Sequence, residues 1–266
     1  MKAQFSVLGD IEVMVADGPL DIGHLRQRGV LAALLVDANR TVSVDQLADR
    51  IWADRPPQRF RTTLYSYLSR LRRALLRIED TGTRIAKEPG GYRLVVDASA
   101  VDMHRFRELV ARARATADGE RAGDSAHGER TGDGSHGNGE RAVALFEEAL
   151  ALWRAEPFAA LDTPWFGALR EALLRERLAA ELDRNDLALR QGRHGELLAE
   201  LTTRAGTHPL DERLAGQLML ALYRSGRAAD ALGHYRRTRD LLADELGVDP
   251  GARLRELHQR ILTADP

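Results

Sequence analysis

FRTTLYSYLSRLRRALLR (Phe60–Arg77) holds five arginines and no acid. Widened to Arg55–Arg77, the stretch holds seven arginines and still no acid, in a chain of 39 basic and 40 acidic side chains. On a helix turning about 100° per residue, Phe60, Leu64, Tyr67, Leu68, Leu71, Leu75 and Ile78 fall on one face. That stripe predicts a helix laid on a core. Arg73 stands opposite Leu64, and Arg59, Thr62, Ser66, Ser69, Arg70 and Arg77 lie within about 60° of it. Arginine pairs with phosphate and binds guanine O6 and N7 in a fork, while Ser and Thr adapt to bases or phosphate oxygens. The plainer reading is a solvated charged face. Such faces normally mix signs, as FGALREALLRERLAAELDR (166–184) does. An acid-free run of arginines repels itself and calls for an anionic partner.

The flanking sequence supplies the frame. QFSVLGDIEVMV (4–15) alternates apolar and polar residues around a Gly9-Asp10 turn, so it reads as short strands, with another turn and edge in GPLDIG (18–23). HLRQRGVLAALLVDAN (24–39) has helical spacing, with Asn39 as its expected C-cap. SVDQLADRIWAD (43–54) opens on Ser43 with Gln46 three residues on, a capping box. Pro56-Pro57 ends that helix before the arginine-rich one begins. RIAKEPGGYRLVV (84–96) is a hairpin about Pro89-Gly90-Gly91, and Arg84, Lys87 and Arg93 could reach DNA from it as a wing. Three helices closed by a hairpin describe a winged helix-turn-helix, with the arginine-rich helix where a recognition helix stands.

Beyond residue 98 the balance changes. Residues 1–98 carry 15 basic and 12 acidic side chains, the remainder 24 and 28. A helical segment starts near Asp102. Gly119–Glu140 is rich in Gly, Ser and Asp and reads as a disordered or mobile insertion. From Arg141 to Leu262 the pattern is helical. ALRQGRHGELLAEL (188–201) aligns with LYRSGRAADALGHY (222–235) at an offset of 34 residues, which sets Gly192 on Gly226 and Leu198 on Leu232. That interval is the tetratricopeptide period, one helix pair per repeat. HPLDERL (208–214) and VDPGARL (248–254) each open a following helix. The expected fold class is mainly α with small β: a winged helix-turn-helix over 1–98, then an all-α tetratricopeptide-like domain over 99–266.

Catalysis has no support. The chain contains no cysteine, so it offers no thiolate nucleophile, thiolate metal site or disulfide. No Walker lysine, HExxH or GxSxG motif is present. GDGSHG (132–137) matches GxGxxG but sits in the polar tract without a strand before it. His127 and His136 in that tract have no further ligands spaced to help. No cofactor and no metal are expected. Trp52, Trp153 and Trp165 read as core anchors. The N-terminus is not a signal peptide and no apolar run reaches the roughly 18 residues of a membrane span. A cytoplasmic, nucleoid-associated protein with no membrane partner is expected.

LAALLVDANRTVSVDQLADRIWADRPPQRFRTTLYSYLSRLRRAL (31–75), followed by GGYRL (90–94) and DMHRFREL (102–109), resembles the Streptomyces antibiotic regulatory protein (SARP) family. The first domain resembles the winged helix of OmpR-type response regulators. The second resembles the bacterial transcriptional activation domain, whose typical ending is close to residues 222–262. The resemblance implies a small SARP, without the ATPase module of larger members or a phosphorylation switch. It implies a pathway-specific activator of an antibiotic or other secondary-metabolite gene cluster. Such proteins bind double-stranded DNA at direct repeats near the −35 element, as side-by-side protomers, and recruit RNA polymerase through its sigma factor. By motif position Thr62, Thr63, Ser66, Ser69, Arg70 and Arg73 fall on the recognition helix, and Lys87 and Arg93 on the wing. Arg26 and Arg28 become candidate phosphate contacts. The family often has a basic residue before the wing Gly-Tyr, where this chain has Glu88, an acid opposed to the negative minor groove. A different class also fits the repeats: a tetratricopeptide adaptor whose winged helix binds protein rather than DNA.

Overall fold

The computed structural model describes residues 3–78, 82–126 and 134–264. The chain forms two compact units. One joins residues 1–113 to 145–178; the other joins 114–144 to 179–266.

The first unit opens with an antiparallel sheet of β1 (Gln4–Ser6), β2 (Glu12–Val15) and β3 (Gly18–Pro19), with Phe5 opposite Val13. Then come α1 (Leu25–Val36), β4 (Thr41–Val42), α2 (Val44–Trp52) and α3 (Phe60–Leu75). β5 (Arg84–Glu88) and β6 (Gly91–Val95) form the hairpin, and β4 pairs with β6 on its other side. Gly91 makes that third strand possible. A Cβ there would lie 2.1 Å from the Val42 carbonyl oxygen, so only glycine lets β4 approach.

Local signals set these boundaries. Ser43 Oγ accepts from the Gln46 amide at 3.0 Å, and the Ser43 amide donates to Gln46 Oε1 at 2.9 Å. This is the expected capping box, and it satisfies two otherwise orphaned donors. Asn39 is not the C-cap of α1, which ends at Val36 with Asp37 as cap. Asn39 instead takes a left-handed φ of 64°, and its side-chain amide bonds both backbone groups of Val96 at 2.8 and 3.1 Å. A partner 57 residues away thus outbid the local role. On α3, Leu64, Leu68, Leu71 and Leu75 are buried as the stripe predicts. Phe60 and Tyr67 are only half-buried, and each sets its ring against Trp52.

α4 (Asp102–Ala126) follows a short 3-10 turn. The Asp102 carboxylate accepts from the Val7, Leu8 and Met103 amides at 2.7–3.0 Å, fastening the end of β1 to the start of α4. Burial pushes its pKa up; the backbone N–H groups of Leu8, Val7 and Met103 and the Arg154 guanidinium pull it down. α5 (Gly134–Leu150) and α6 (Pro164–Arg190) follow, and this unit takes α4 as far as residue 113, α5 from 145 and α6 as far as 178. Helix therefore covers both ends of the tract expected to be irregular, up to Ala126 and again from Gly134. The ends extend α4 and α5, and adding a residue to an existing helix costs far less than starting one. The middle of the tract, with His127 and the first two residues of GDGSHG, lies outside the described residues.

The second unit contains the remainders of α4, α5 and α6, then α7 (His194–Thr207), α8 (Glu212–Arg224), α9 (Ala228–Leu246) and α10 (Ala252–Leu262). The 34-residue repeat is written into its turns. Gly192 and Gly226 take left-handed φ of 78° and 75°. The Arg193 amide donates to Ala188, and the Arg227 amide to Leu222, one period later. Arg193 pairs with Glu196 at 2.8 Å and Arg227 with Asp230 at 2.7 Å, again one period apart. No helix among the described residues is long and apolar enough to cross a membrane.

Candidate nucleic-acid interface

α2 and α3 are joined by a turn over residues 53–59, where Ala53 adopts a φ of 49° and Pro56-Pro57 exclude helix. The Phe60 amide bonds the Pro57 carbonyl at 2.9 Å and starts α3. With its leucines buried, α3 turns Arg61, Thr62, Tyr65, Ser69, Arg70 and Arg73 to solvent, while Thr63 and Ser66 are half-buried. Arg59 precedes the helix and Arg77 follows it, both exposed. From Thr62 to Arg73 the face runs about 17 Å at 1.5 Å per residue, enough to track a major groove about 12 Å wide.

The seven arginines are not all free. Arg61 pairs with Asp45 at 2.9 Å in an exposed bridge. Arg72 donates Nε to the Ile85 carbonyl at 2.8 Å and lies over the Tyr92 ring at 5.3 Å, so it holds the hairpin to α3. Arg59, Arg70, Arg73 and Arg77 have no side-chain partner among the described residues. The unopposed charge is therefore smaller than the sequence count, and it sits on the face away from the core. Tyr65 is a further residue of this face that the arginine, serine and threonine pattern does not single out. It is 46% exposed and stands three residues after Thr62 and four before Ser69, spacing that places it on this face. That spacing was the signal available for it.

The wing is divided. Arg93 is opposite Ala86 in the ladder, so Arg84 and Arg93 share one face and Lys87 points from the other. Arg93 is tied to Glu88 at 2.6 Å, which offsets its charge near the tip. Lys87 and Arg84 are exposed, and Arg84 has a long contact to the Gly82 carbonyl at 3.4 Å. At the start of α1, Arg26 is exposed, and Arg28 donates Nε to the Gly23 carbonyl at 2.8 Å. The His24 ring meets the Tyr67 ring edge-on at 4.9 Å, bringing the start of α1 against the middle of α3.

A winged helix with an outward cationic helix, on a chain that continues into 34-residue helical repeats, defines a transcriptional regulator of two modules. Comparison with known proteins agrees. Residues 24–94 match the family described as transcriptional regulatory protein, C terminal, and residues 124–262 match the bacterial transcriptional activator domain. Regulatory protein AfsR of Streptomyces griseus is 39% identical over 98% of this chain, which spans about a quarter of that relative's length. Regulatory protein DnrI of Streptomyces peucetius is 34% identical, covering 91% of this chain and 85% of the relative. The solved structure of Mycobacterium tuberculosis EmbR in complex with a low affinity phosphopeptide superposes with a TM-score of 0.86 and 33% identity, over 100% of this chain and 66% of that one. The chain belongs to the SARP family of transcriptional activators.

Proposed function

We propose that this regulator reads promoter DNA by seating α3 in the major groove, with Thr62, Ser66, Ser69, Arg70 and Arg73 toward the bases and Arg59, Arg77, Arg26 and Arg28 toward phosphates. Thr63 is half-buried, and its hydroxyl donates back to the Arg59 carbonyl at 3.3 Å, which leaves its oxygen free to accept at the start of the reading face. Tyr65 joins the reading face as an apolar contact. Lys87 and Arg84 serve the wing, and Arg93, neutralised by Glu88, contributes least. Two protomers bind side by side on direct repeats near the −35 element. The helical module recruits RNA polymerase through its sigma factor, and the target is a secondary-metabolite gene cluster. The observation that carries this reading is the acid-free outer face of α3, built on a helix whose opposite face is buried leucine.

The test is a salt titration of binding to DNA from the chain's gene neighbourhood, with scrambled DNA as control. One upstream fragment should bind at least about a thousandfold more tightly than the control. Log affinity should fall steeply with log salt, by about 0.9 for each phosphate neutralised. Footprinting should show two protected repeats. Equal binding to all fragments, or none at physiological salt, would refute DNA reading by α3 and move the function to protein contacts of an adaptor.

A further inference from the structure

We propose that a groove in the second unit, between α6, α8 and the start of α10, is a binding site for a small organic anion with an apolar body. The open groove offers about 670 Å³. That lies within the roughly 300–1,000 Å³ of small-molecule sites.

The groove is apolar inside and cationic at its rim. Leu189, Leu220, Leu254 and Leu257 line it. Gly216 leaves a gap between them, since a Cβ there would only touch Leu254 and Leu257 at 3.7 Å. Both carboxylates at the site are already engaged. Asp186 accepts from Arg213 at 2.6 Å and from Gln217 Nε2 at 2.6 Å, and Arg213 also pairs with Asp183 at 2.7 Å. Glu212 accepts from the Gly251 amide at 2.6 Å.

Three further arginines line the groove without a carboxylate partner among the described residues. Arg190 donates Nε to the Asp186 carbonyl at 3.2 Å, and Arg224 donates Nη1 to the Leu189 carbonyl. Arg253 has no partner among the described residues. Each guanidinium has five donors, so most remain available to a carboxylate or sulfonate, which a planar fork binds well. An apolar floor below unspent guanidinium donors selects an amphipathic anion over a neutral or cationic molecule.

The site stands independently of DNA reading, and its test contains no DNA. Full-length protein would be titrated with 8-anilinonaphthalene-1-sulfonate, and separately with N-phenyl-1-naphthylamine, which keeps the rings and lacks the sulfonate. The expected result is saturable one-to-one binding of the sulfonate, with the neutral probe at least tenfold weaker. Gly216→Leu, which fills the floor, should weaken the sulfonate at least tenfold, and Gly216→Ala should weaken it less. Arg190→Ala combined with Arg253→Ala should reduce the sulfonate to the affinity of the neutral probe. These arginines are exposed, so thermal melting of that variant should match the wild type even if Gly216→Leu proves unfolded. Sulfonate binding unchanged in the arginine variant, or equal affinity for both probes, would overturn the proposal. So would no sulfonate binding together with protection of α8 and α10 from hydrogen exchange by an acidic peptide.

Discussion

Arg72 and Arg73 are neighbours about 100° apart on α3, and their predicted roles separate cleanly. Arg72 is half-buried, bonded to the Ile85 carbonyl at 2.8 Å and set over Tyr92 at 5.3 Å. A hydrogen bond from a charged donor contributes about 1.5–3 kcal/mol, and a cation–π contact about 0.5–1 kcal/mol near the surface. Arg72→Ala should therefore cost about 2–3 kcal/mol of stability, allowing for partial solvent access at the site. Arg73 is exposed and has no partner among the described residues, so Arg73→Ala should change stability by less than about 0.5 kcal/mol. Against DNA the order should reverse. Losing one specific arginine contact costs about 1–3 kcal/mol, or roughly 5- to 150-fold in affinity. Arg72→Ala, assayed where it remains folded, should bind within about threefold of wild type, because the side chain faces the hairpin. Urea denaturation gives the first quantity and fluorescence anisotropy on operator DNA the second. If Arg73→Ala retained full affinity, or if Arg72→Ala lost affinity without losing stability, the assignment of faces on α3 would be wrong.

Further predictions test the frame. Gly91→Ala should lose more than about 1–3 kcal/mol of stability in urea, because its Cβ meets backbone at 2.1 Å and β4 must move. Ser43→Ala should cost about 1 kcal/mol by removing the cap of α2, with a lower urea midpoint at unchanged slope. Burial raises the folded-state pKa of Asp102. Its favourable contribution is then fully present below the ordinary carboxylate value and is lost as pH rises through the raised one. Relative to Asp102→Asn, wild-type stability should decline across that window; a flat difference would contradict the burial argument. Trp165→Ala removes the ring under the Arg50 guanidinium, 4.4 Å away, and should speed hydrogen exchange in α2; unchanged α2 protection would show that the contact adds nothing.

What the sequence discloses here is mostly what is local. The Ser43–Gln46 box, the leucine stripe of α3 and the glycines at 192 and 226 are all settled within a few residues of themselves. The exposed face of α3 follows from its buried one by helical geometry. Long-range partners decided the rest. Nothing near Arg72 in sequence announces the Ile85 carbonyl, and nothing near Asn39 announces Val96. Arg61 and Arg73 look alike as letters, yet Asp45 engages only the first. Trp52 and Trp153 are buried as expected of core anchors, but Trp165 is only half-buried and stacks on Arg50. Gly, Ser and Asp suggest irregular chain between 119 and 140, yet helices already anchored by packing extend into both ends.

Arg50 shows how the winged helix is completed by residues far along the chain. Its guanidinium pairs with Asp37 at 2.6 Å, reaches the Ala33 carbonyl at 3.2 Å and covers Trp165. Its carbonyl accepts from the Thr163 hydroxyl at 2.7 Å. Close by, a Cβ on Gly29 would lie 3.2 Å from Ile51 and 3.4 Å from Leu161, so α1, α2 and the approach to α6 meet at one point. Leu161, Thr163 and Trp165 lie within the stretch matched as activator domain, while Gly29, Arg50 and Ile51 lie within the stretch matched as transcriptional regulatory protein. Both groups nonetheless belong to one compact unit. α3 in turn rests on α2 through Trp52, whose ring meets Phe60 and Tyr67. The helix proposed to read DNA thus takes part of its support from sequence belonging to the other module. A substitution near Thr163 can therefore alter the stability of the winged helix without touching any residue that would face DNA.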